Sequence, residues 1–182
     1  NTLLVIASLT MLLGNIMGLV QQNVKRMLAF SGIAHAGYML MAFFPGATAA
    51  NNLLFYASAY ALAGIAAFTV VMVVNRTQNS EEIADFNGLA KRNPFLAFVL
   101  TAALISMAGI PIFGGFFGKL MLFTQTLQAG YIGLVIIAVI SSIISVGYYF
   151  KLILAMYTKP TITTTPLEVP LSHYIVAAVA IL

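Results

Sequence analysis

The stretch Ser106-Met-Ala-Gly-Ile-Pro-Ile-Phe-Gly-Gly-Phe-Phe-Gly-Lys119 decides how this chain folds. It lies inside one apolar run, 94–127, whose 34 residues would form a helix of about 51 Å, well beyond a hydrocarbon core of about 30 Å. Proline and clustered glycines disfavour a continuous helix. The sequence therefore predicts two half helices of about 15 residues each, with a break between them. The predicted break residues are Gly109, Pro111, Gly114 and Gly115.

The composition is that of an integral membrane protein. The chain is 62% hydrophobic and 7% charged, with a mean hydropathy of +1.03, whereas soluble domains have about 25% charged residues. It has no cysteine, which excludes disulfides, thiolate metal sites and cysteine-bound clusters. The two histidines and the lack of a carboxylate in any apolar run predict no metal site. The few basic residues are separated by apolar runs, so no nucleic-acid binding is predicted.

Apolar runs long enough to cross a membrane recur along the chain. They predict five complete spans and the start of another. The complete spans are 3–20, 27–44, 53–74, 94–127 and 131–157, and the truncated run is 174–182. Because the chain does not begin with methionine and its last run is about half the length needed to cross, we expect a piece of a longer multi-pass protein.

The basic residues of the connections share one side of the predicted spans. They are Lys25, Arg26, Arg76, Lys91, Arg92 and Lys159, with Lys151 within two turns of that side. The connections on the other side carry no lysine or arginine. The positive-inside rule makes the first side cytoplasmic, so Pro94 starts its helix from the cytoplasm and 158–173 is a cytoplasmic linker.

Lys119 is the strongest candidate for a functional residue, because it is the only charged side chain between Pro94 and Phe150. An ammonium group inside a bilayer is costly and suggests a functional site. The alternative is a lysine that extends its charge to the headgroups. Against that, the next connection is nine residues away, about 13 Å along a helix. Since burial favours the neutral amine, Lys119 is predicted to exchange a proton in a relay.

His35 is the second candidate. It lies eight residues past the predicted start of its span at Met27, with Ser31 and Tyr38 about one turn away on the same helix face. Histidine accepts and donates protons near neutral pH, which suits a water-linked relay. A packed helix contact fits this spacing equally well.

Other polar residues near the spans are either relay members or structural. They are Lys25, Ser31, Tyr148 and Lys151. A basic pair at a span boundary, such as Lys25 and Arg26, is more typical of an interfacial anchor and topology signal. Lys151 follows two tyrosines, whose hydroxyls would extend a polar path inward, although its charge can equally reach the headgroups.

Two motifs carry a family resemblance. The stretch 22–38, Gln-Asn-Val-Lys-Arg-Met-Leu-Ala-Phe-Ser-Gly-Ile-Ala-His-Ala-Gly-Tyr, and the broken-helix stretch 106–119 closely resemble the antiporter-like subunits of respiratory complex I. Gly147-Tyr-Tyr-Phe-Lys151 is also similar, and the match runs in order along nearly all of the chain. The resemblance implies an all-α, polytopic membrane bundle. Residues 1–157 would be the second of two inverted five-helix repeats.

The resemblance also implies roles for single residues. Lys119 would belong to the proton channel, and His35, with Ser31 in a Ser-x-x-x-His pattern, would line the central hydrophilic axis. Two positions affect how closely the chain fits the family pattern. Gly32 replaces the second serine of a Ser-Ser pair, which removes one hydroxyl from the water chain. Lys119, rather than a glutamate, closes the broken helix, which favours one branch of the family.

The function implied is that of a proton-translocating membrane-arm subunit of NADH:quinone oxidoreductase in a bacterial inner membrane. No cofactor or redox active site is expected on this chain, and FMN, iron-sulfur clusters and quinone are expected on other subunits. Neighbouring antiporter-like and small membrane subunits, and the lipid bilayer, would be its partners. Two alternatives stay open: a subunit of a multi-subunit sodium/proton antiporter of the same superfamily, and a lipid-facing scaffold with a dry interior.

Overall fold

The computed structural model describes residues 2–44, 49–160 and 171–180. These residues form α-helices joined by short connections, with no β-strand in the described ranges, and the predicted all-α class is confirmed. The helices are α1 Thr2–Leu19, α2 Val24–Leu40, α3 Ala49–Gln78, α4 Leu89–Arg92, α5 Pro94–Ala108, α6 Gly114–Gln128, α7 Ile132–Thr158 and α8 Leu171–Val179. Short 3-10 turns occupy Met41–Phe43 and Ile83–Phe86.

Three of the described helices are each long and apolar enough to cross a membrane: α1, α3 over Ala50–Gln78, and α7. Helix α2 has 17 residues, and α5 and α6 have 15 each. Together α5 and α6 form the discontinuous helix predicted over 94–127. The predicted linker 158–173 falls largely on residues 161–170, which lie outside the described residues.

Helix α2 begins at Val24, three residues before the predicted start at Met27. The reason is Asn23, whose side-chain oxygen accepts a hydrogen bond of 2.9 Å from the backbone N–H of Arg26 and caps the helix. Lys25 and Arg26 consequently lie in its first turn. Helix α3 also extends past its predicted end at residue 74, because polar residues continue the helix beyond the apolar run.

The charged connections meet at one end of the bundle. The backbone N–H of Val24 donates to the carbonyl of Glu81 at 2.8 Å, and the Lys25 ammonium lies 3.2 Å from the Glu81 carboxylate. The N–H of Gly88 donates to the carbonyl of Ala155 near the end of α7 at 3.1 Å. The connections after α1 and α3 therefore pack together beside the last turns of α7.

The end of α5 is a Schellman motif. Gly109 adopts a left-handed conformation with φ of 79°, and its N–H donates to the carbonyl of Ser106 at 3.1 Å. The N–H of Ile110 donates to the carbonyl of Ile105 at 3.2 Å. Pro111 follows and cannot continue the helix. Gly109 and Pro111 therefore lie in the break.

Gly114 and Gly115 differ from the prediction, because they form the first turn of α6 and do not lie in the break. Glycine accepts helical dihedral angles, and here the missing Cβ permits close packing. A Cβ on Gly115 would lie 1.9 Å from the carbonyl oxygen of Ser106, and one on Gly118 would lie 2.6 Å from the Tyr56 ring. These glycines let α6 lie directly against α5 and α3, which sets the position of the next residue, Lys119.

Candidate functional site

Lys119 lies in the interior of the bundle, and its side chain is 4% exposed. Its ammonium donates to the carbonyl of Met107 at 3.0 Å, to the carbonyl of Ala108 at 3.2 Å and to the hydroxyl of Ser142 at 3.0 Å. The last carbonyls of a helix have no partner within that helix. Two such carbonyls at the end of α5 therefore accept hydrogen bonds from Lys119, at the negative end of the helix dipole.

Neutral groups surround the Lys119 ammonium. In the described part of the chain, the recorded ion pair joins Lys25 to Glu81, and no acidic side chain pairs with Lys119. The ring of Tyr38 lies under the ammonium, with its centroid 4.9 Å from Nζ. Carbonyl dipoles and an aromatic face stabilise a cation without supplying a negative charge. Loss of the proton would therefore leave no unpaired buried carboxylate behind.

His35 lies nearby on α2 and is 3% exposed. Its Nδ1 is 2.6 Å from the hydroxyl of Tyr56, and its Nε2 is 3.3 Å from the hydroxyl of Tyr149. The hydroxyl of Ser31 hydrogen-bonds the same Tyr149 hydroxyl. In a neutral imidazole one nitrogen donates and the other accepts, so this ring can pass a proton between two hydroxyls.

Asn15 on α1 holds a third group of polar side chains and is 1% exposed. Its Nδ2 lies 3.2 Å from the hydroxyl of Tyr38 and 2.6 Å from the hydroxyl of Ser141. The hydroxyl of Tyr148 donates to its Oδ1 at 2.7 Å. One buried amide thus joins α1 to α2 and α7.

Tyr38 contacts all three groups. Its ring lies under the Lys119 ammonium, its hydroxyl hydrogen-bonds Asn15, and its ring meets that of His35 edge to face with centroids 5.8 Å apart. The rings of Tyr148 and Tyr149 are also adjacent, with centroids 4.4 Å apart. The lysine, histidine and asparagine groups therefore form one buried polar cluster inside an apolar bundle.

A match to known proteins fits this arrangement. The family described as NADH:quinone oxidoreductase/Mrp antiporter, TM, matches residues 1–145. The chain belongs to this antiporter-like family. An NADH-quinone oxidoreductase subunit N from Flavobacterium johnsoniae is 64% identical over 159 residues, which cover 87% of this chain and 34% of the relative. The chain thus spans about a third of that curated relative's length. The predicted resemblance is confirmed, and subunit N is the branch that a lysine at position 119 favours.

Solved structures of antiporter-like proteins have the same fold. A chain of respiratory complex I from Thermus thermophilus with bound aureothin superposes with a TM-score of 0.85 at 33% identity, covering 98% of this chain and 41% of that one. A chain of the Mrp complex from a Dietzia species superposes with a TM-score of 0.83 at 28% identity, covering 92% of this chain and 31% of that one. The fold is therefore common to the redox and the antiporter members of the family.

The remaining candidates lie in two places in this antiporter-like fold. Ser31 and Tyr148 belong to the buried polar cluster. Lys25 does not, because its side chain is 61% exposed and pairs with Glu81 at the charged end. Lys151 also lies outside the cluster, where its ammonium donates to the backbone carbonyl of Gln21 at 3.4 Å.

Several residues of the cluster were not among the predicted candidates. They are Asn15, Tyr56, Ser141 and Ser142. Polarity in an otherwise apolar run is a usable signal for Asn15 and for the adjacent serines. Tyr56 gives no such signal, because tyrosine is common in membrane helices and its partner His35 is 21 residues away.

The described residues include no group of three or more histidine, aspartate or glutamate side chains that could hold a metal ion. The described site combines a lysine, a histidine and hydroxyl groups, which are side chains that can exchange protons.

Proposed function

We propose that this chain is part of a proton-translocating membrane subunit of an NADH:quinone oxidoreductase, and that Lys119 takes up and releases the translocated proton. The proposal rests on the groups that surround the Lys119 ammonium. Its ammonium is buried and held by two backbone carbonyls, a serine hydroxyl and an aromatic face. A lysine with only a structural role would be expected to pair with a carboxylate, since burying an unpaired charge is costly.

A lysine that moves protons must alternate between two states. Moving one charge against a potential of 100 mV costs about 2.3 kcal/mol, so a permanently charged lysine cannot complete a cycle. In the charged state the carbonyls of Met107 and Ala108 accept hydrogen bonds from the ammonium. In the neutral state the amine has a free lone pair, with which it accepts the next proton.

The proton path would run through the buried polar cluster. His35 lies between the hydroxyls of Tyr56 and Tyr149. Tyr38 lies between His35 and Lys119, since its ring meets the His35 ring edge to face and lies under the Lys119 ammonium. Water molecules would complete the connections between the hydroxyls, as they do in other buried polar sites.

The rest of the proposed activity belongs to the whole protein and its complex. Redox energy released on other subunits, which would carry FMN, iron-sulfur clusters and quinone, would drive the change in protonation of Lys119. Neighbouring antiporter-like and small membrane subunits would be the partners. With the charged connections facing the cytoplasm of a bacterial inner membrane, Lys119 lies on the half of the broken helix that leads to the outer side.

A subunit of a sodium/proton antiporter is the second candidate. The likeness to the Mrp complex, at a TM-score of 0.83, favours it. The identity of 64% with a subunit N favours the oxidoreductase more strongly. In both candidate functions Lys119 would be the residue that exchanges protons. The two functions are therefore distinguished by the subunits and cofactors that assemble with this protein.

Purification of the full-length subunit with its native partners tests the assignment. The subunit would be tagged in its own host and extracted in mild detergent. We expect flavin and iron-sulfur absorbance to accompany it, together with NADH oxidation that drives proton uptake in membrane vesicles. An assembly that lacks flavin and iron-sulfur absorbance and exchanges sodium for protons would contradict the oxidoreductase and support the antiporter.

A further inference from the structure

Asn15 is a buried amide that the proposed proton path does not use. It lies on α1, which carries neither Lys119 nor His35, and its side chain is 1% exposed. A buried amide in an apolar helix is costly unless its hydrogen bonds are made. Its partners therefore indicate what it does.

The hydrogen bonds of Asn15 fix the direction of its neighbours. Its Nδ2 has two hydrogens and three acceptors in range. These acceptors are the carbonyl of Met11 at 3.1 Å and the hydroxyls of Tyr38 at 3.2 Å and Ser141 at 2.6 Å. The hydroxyl of Ser141 already donates to the Met11 carbonyl at 2.7 Å. The Ser141 oxygen therefore accepts one hydrogen of Nδ2, and the other hydrogen is shared between the Tyr38 hydroxyl and the Met11 carbonyl, while Oδ1 accepts from Tyr148.

Close packing of α1 on α2 places the amide within reach of Tyr38. A Cβ on Gly14 would lie 2.7 Å from the backbone nitrogen of Ala34, and one on Gly37 would lie 2.6 Å from Cγ of Met11. The two helices therefore contact each other at backbone distance in the turn of α1 that precedes Asn15. This leaves the amide little freedom to turn away from the Tyr38 hydroxyl.

We propose that Asn15 is a positioning residue for proton exchange at Lys119, because it holds the Tyr38 hydroxyl and so fixes the Tyr38 ring under the ammonium. The inference rests on the proposed role of Lys119. Tyr38 is the group through which Asn15 acts, since it alone in this cluster contacts the amide, the ammonium and the His35 ring. Without Asn15, the ring loses its anchor and the ammonium loses a fixed aromatic face.

A double-mutant cycle in the assembled complex tests this inference. The variants are Asn15→Leu, Tyr38→Phe, which keeps the ring and removes the anchored hydroxyl, and the double variant. We expect each single change to lower NADH-driven proton pumping about fivefold. Loss of a cation-π contact of intermediate strength corresponds to a change of this size. The double variant should be no slower than Tyr38→Phe alone, because that change already removes the hydroxyl that Asn15 holds. The solvent isotope effect on pumping should rise in all three.

Ser8→Ala is the matched control. Ser8 lies two turns before Asn15 on the same face of α1, is 9% exposed, and its hydroxyl has no hydrogen-bond partner in the described part of the chain. We expect its pumping and isotope effect to equal those of the wild type. If Asn15→Leu reduces assembly, Asn15→Ser takes its place, since a serine hydroxyl bonds its own helix and does not reach Tyr38.

If the losses of the two single variants multiply in the double variant, Asn15 is only a packing contact. The same conclusion follows if pumping falls only in proportion to the amount of assembled complex and the isotope effect is unchanged. Normal pumping in the Asn15 variants would overturn the inference as well. Neither result affects the proposed function while Lys119→Met still lowers pumping at least about tenfold. Normal pumping in Lys119→Met would overturn the proposed function itself.

Discussion

Lys119→Met and Lys119→Arg are both expected to lower NADH-driven proton pumping at least about tenfold, since acid-base groups in proton transfer contribute about 10²–10⁴ in rate. Methionine keeps most of the length of the side chain and cannot carry a proton. Arginine keeps the positive charge but does not release its proton in proteins. Proton uptake by inverted membrane vesicles, normalised to the amount of assembled complex, measures the effect. Coupled quinone reduction should fall with it.

The arginine variant separates two roles of the lysine. If Lys119 only supplies a fixed charge to the carbonyls of Met107 and Ala108, arginine should restore pumping. Lys25→Met is the matched control, because it also removes a lysine but at the exposed end of the bundle. Exposed ion pairs such as Lys25 with Glu81 contribute about 0–1 kcal/mol to stability, so we expect assembly and pumping within about twofold of wild type. Normal pumping in Lys119→Met would remove the residue from the mechanism.

Gly115→Ala is expected to prevent most of the complex from assembling. The added Cβ would lie 1.9 Å from the carbonyl oxygen of Ser106, and a backbone atom in a packed helix cannot move aside as a flexible side chain can. Overpacking of this kind costs about 1–3 kcal/mol and occasionally more, and this overlap is severe enough to place it at or above the upper end. The amount of intact complex on a native gel, compared with wild type, measures the loss.

Gly133→Ala provides the comparison for this change. Gly133 lies in α7, and a Cβ there would have nothing within 4 Å. Alanine is favoured over glycine within a helix by about 1 kcal/mol, so this variant should assemble as well as wild type. Wild-type assembly of Gly115→Ala would show that α5 and α6 do not need their close approach.

The backbone preferences of proline and glycine predicted the broken helix that contains Lys119. Proline removes a backbone donor and glycine allows the left-handed conformation, so Gly109 and Pro111 indicate the end of α5 without any knowledge of the fold. Gly114 and Gly115 were predicted wrongly, because a glycine needed for close packing looks the same in sequence as one needed for a break. Only the position of Ser106 across the break distinguishes the two uses.

Contacts between distant helices could not be predicted in this way. Asn15 and Ser141 are 126 residues apart in sequence, and no local pattern pairs them. The start of α2 was missed for a different reason: an apolar run records the part of a helix that crosses hydrocarbon, not the polar turn before it. The cap residue Asn23 carries the missing signal, and a search for caps would have extended the helix to Val24.

The proposed relay depends on continuity between the lysine and histidine groups. A map of the full-length subunit in its assembled complex, at a resolution that shows ordered water, tests this most directly. We expect waters with two or more polar partners each to bridge Lys119 and Ser142 to the hydroxyl of Tyr38, and to continue toward His35. A dry, apolar gap between Lys119 and His35 in that map would contradict proton transfer through the cluster and would support a structural scaffold instead.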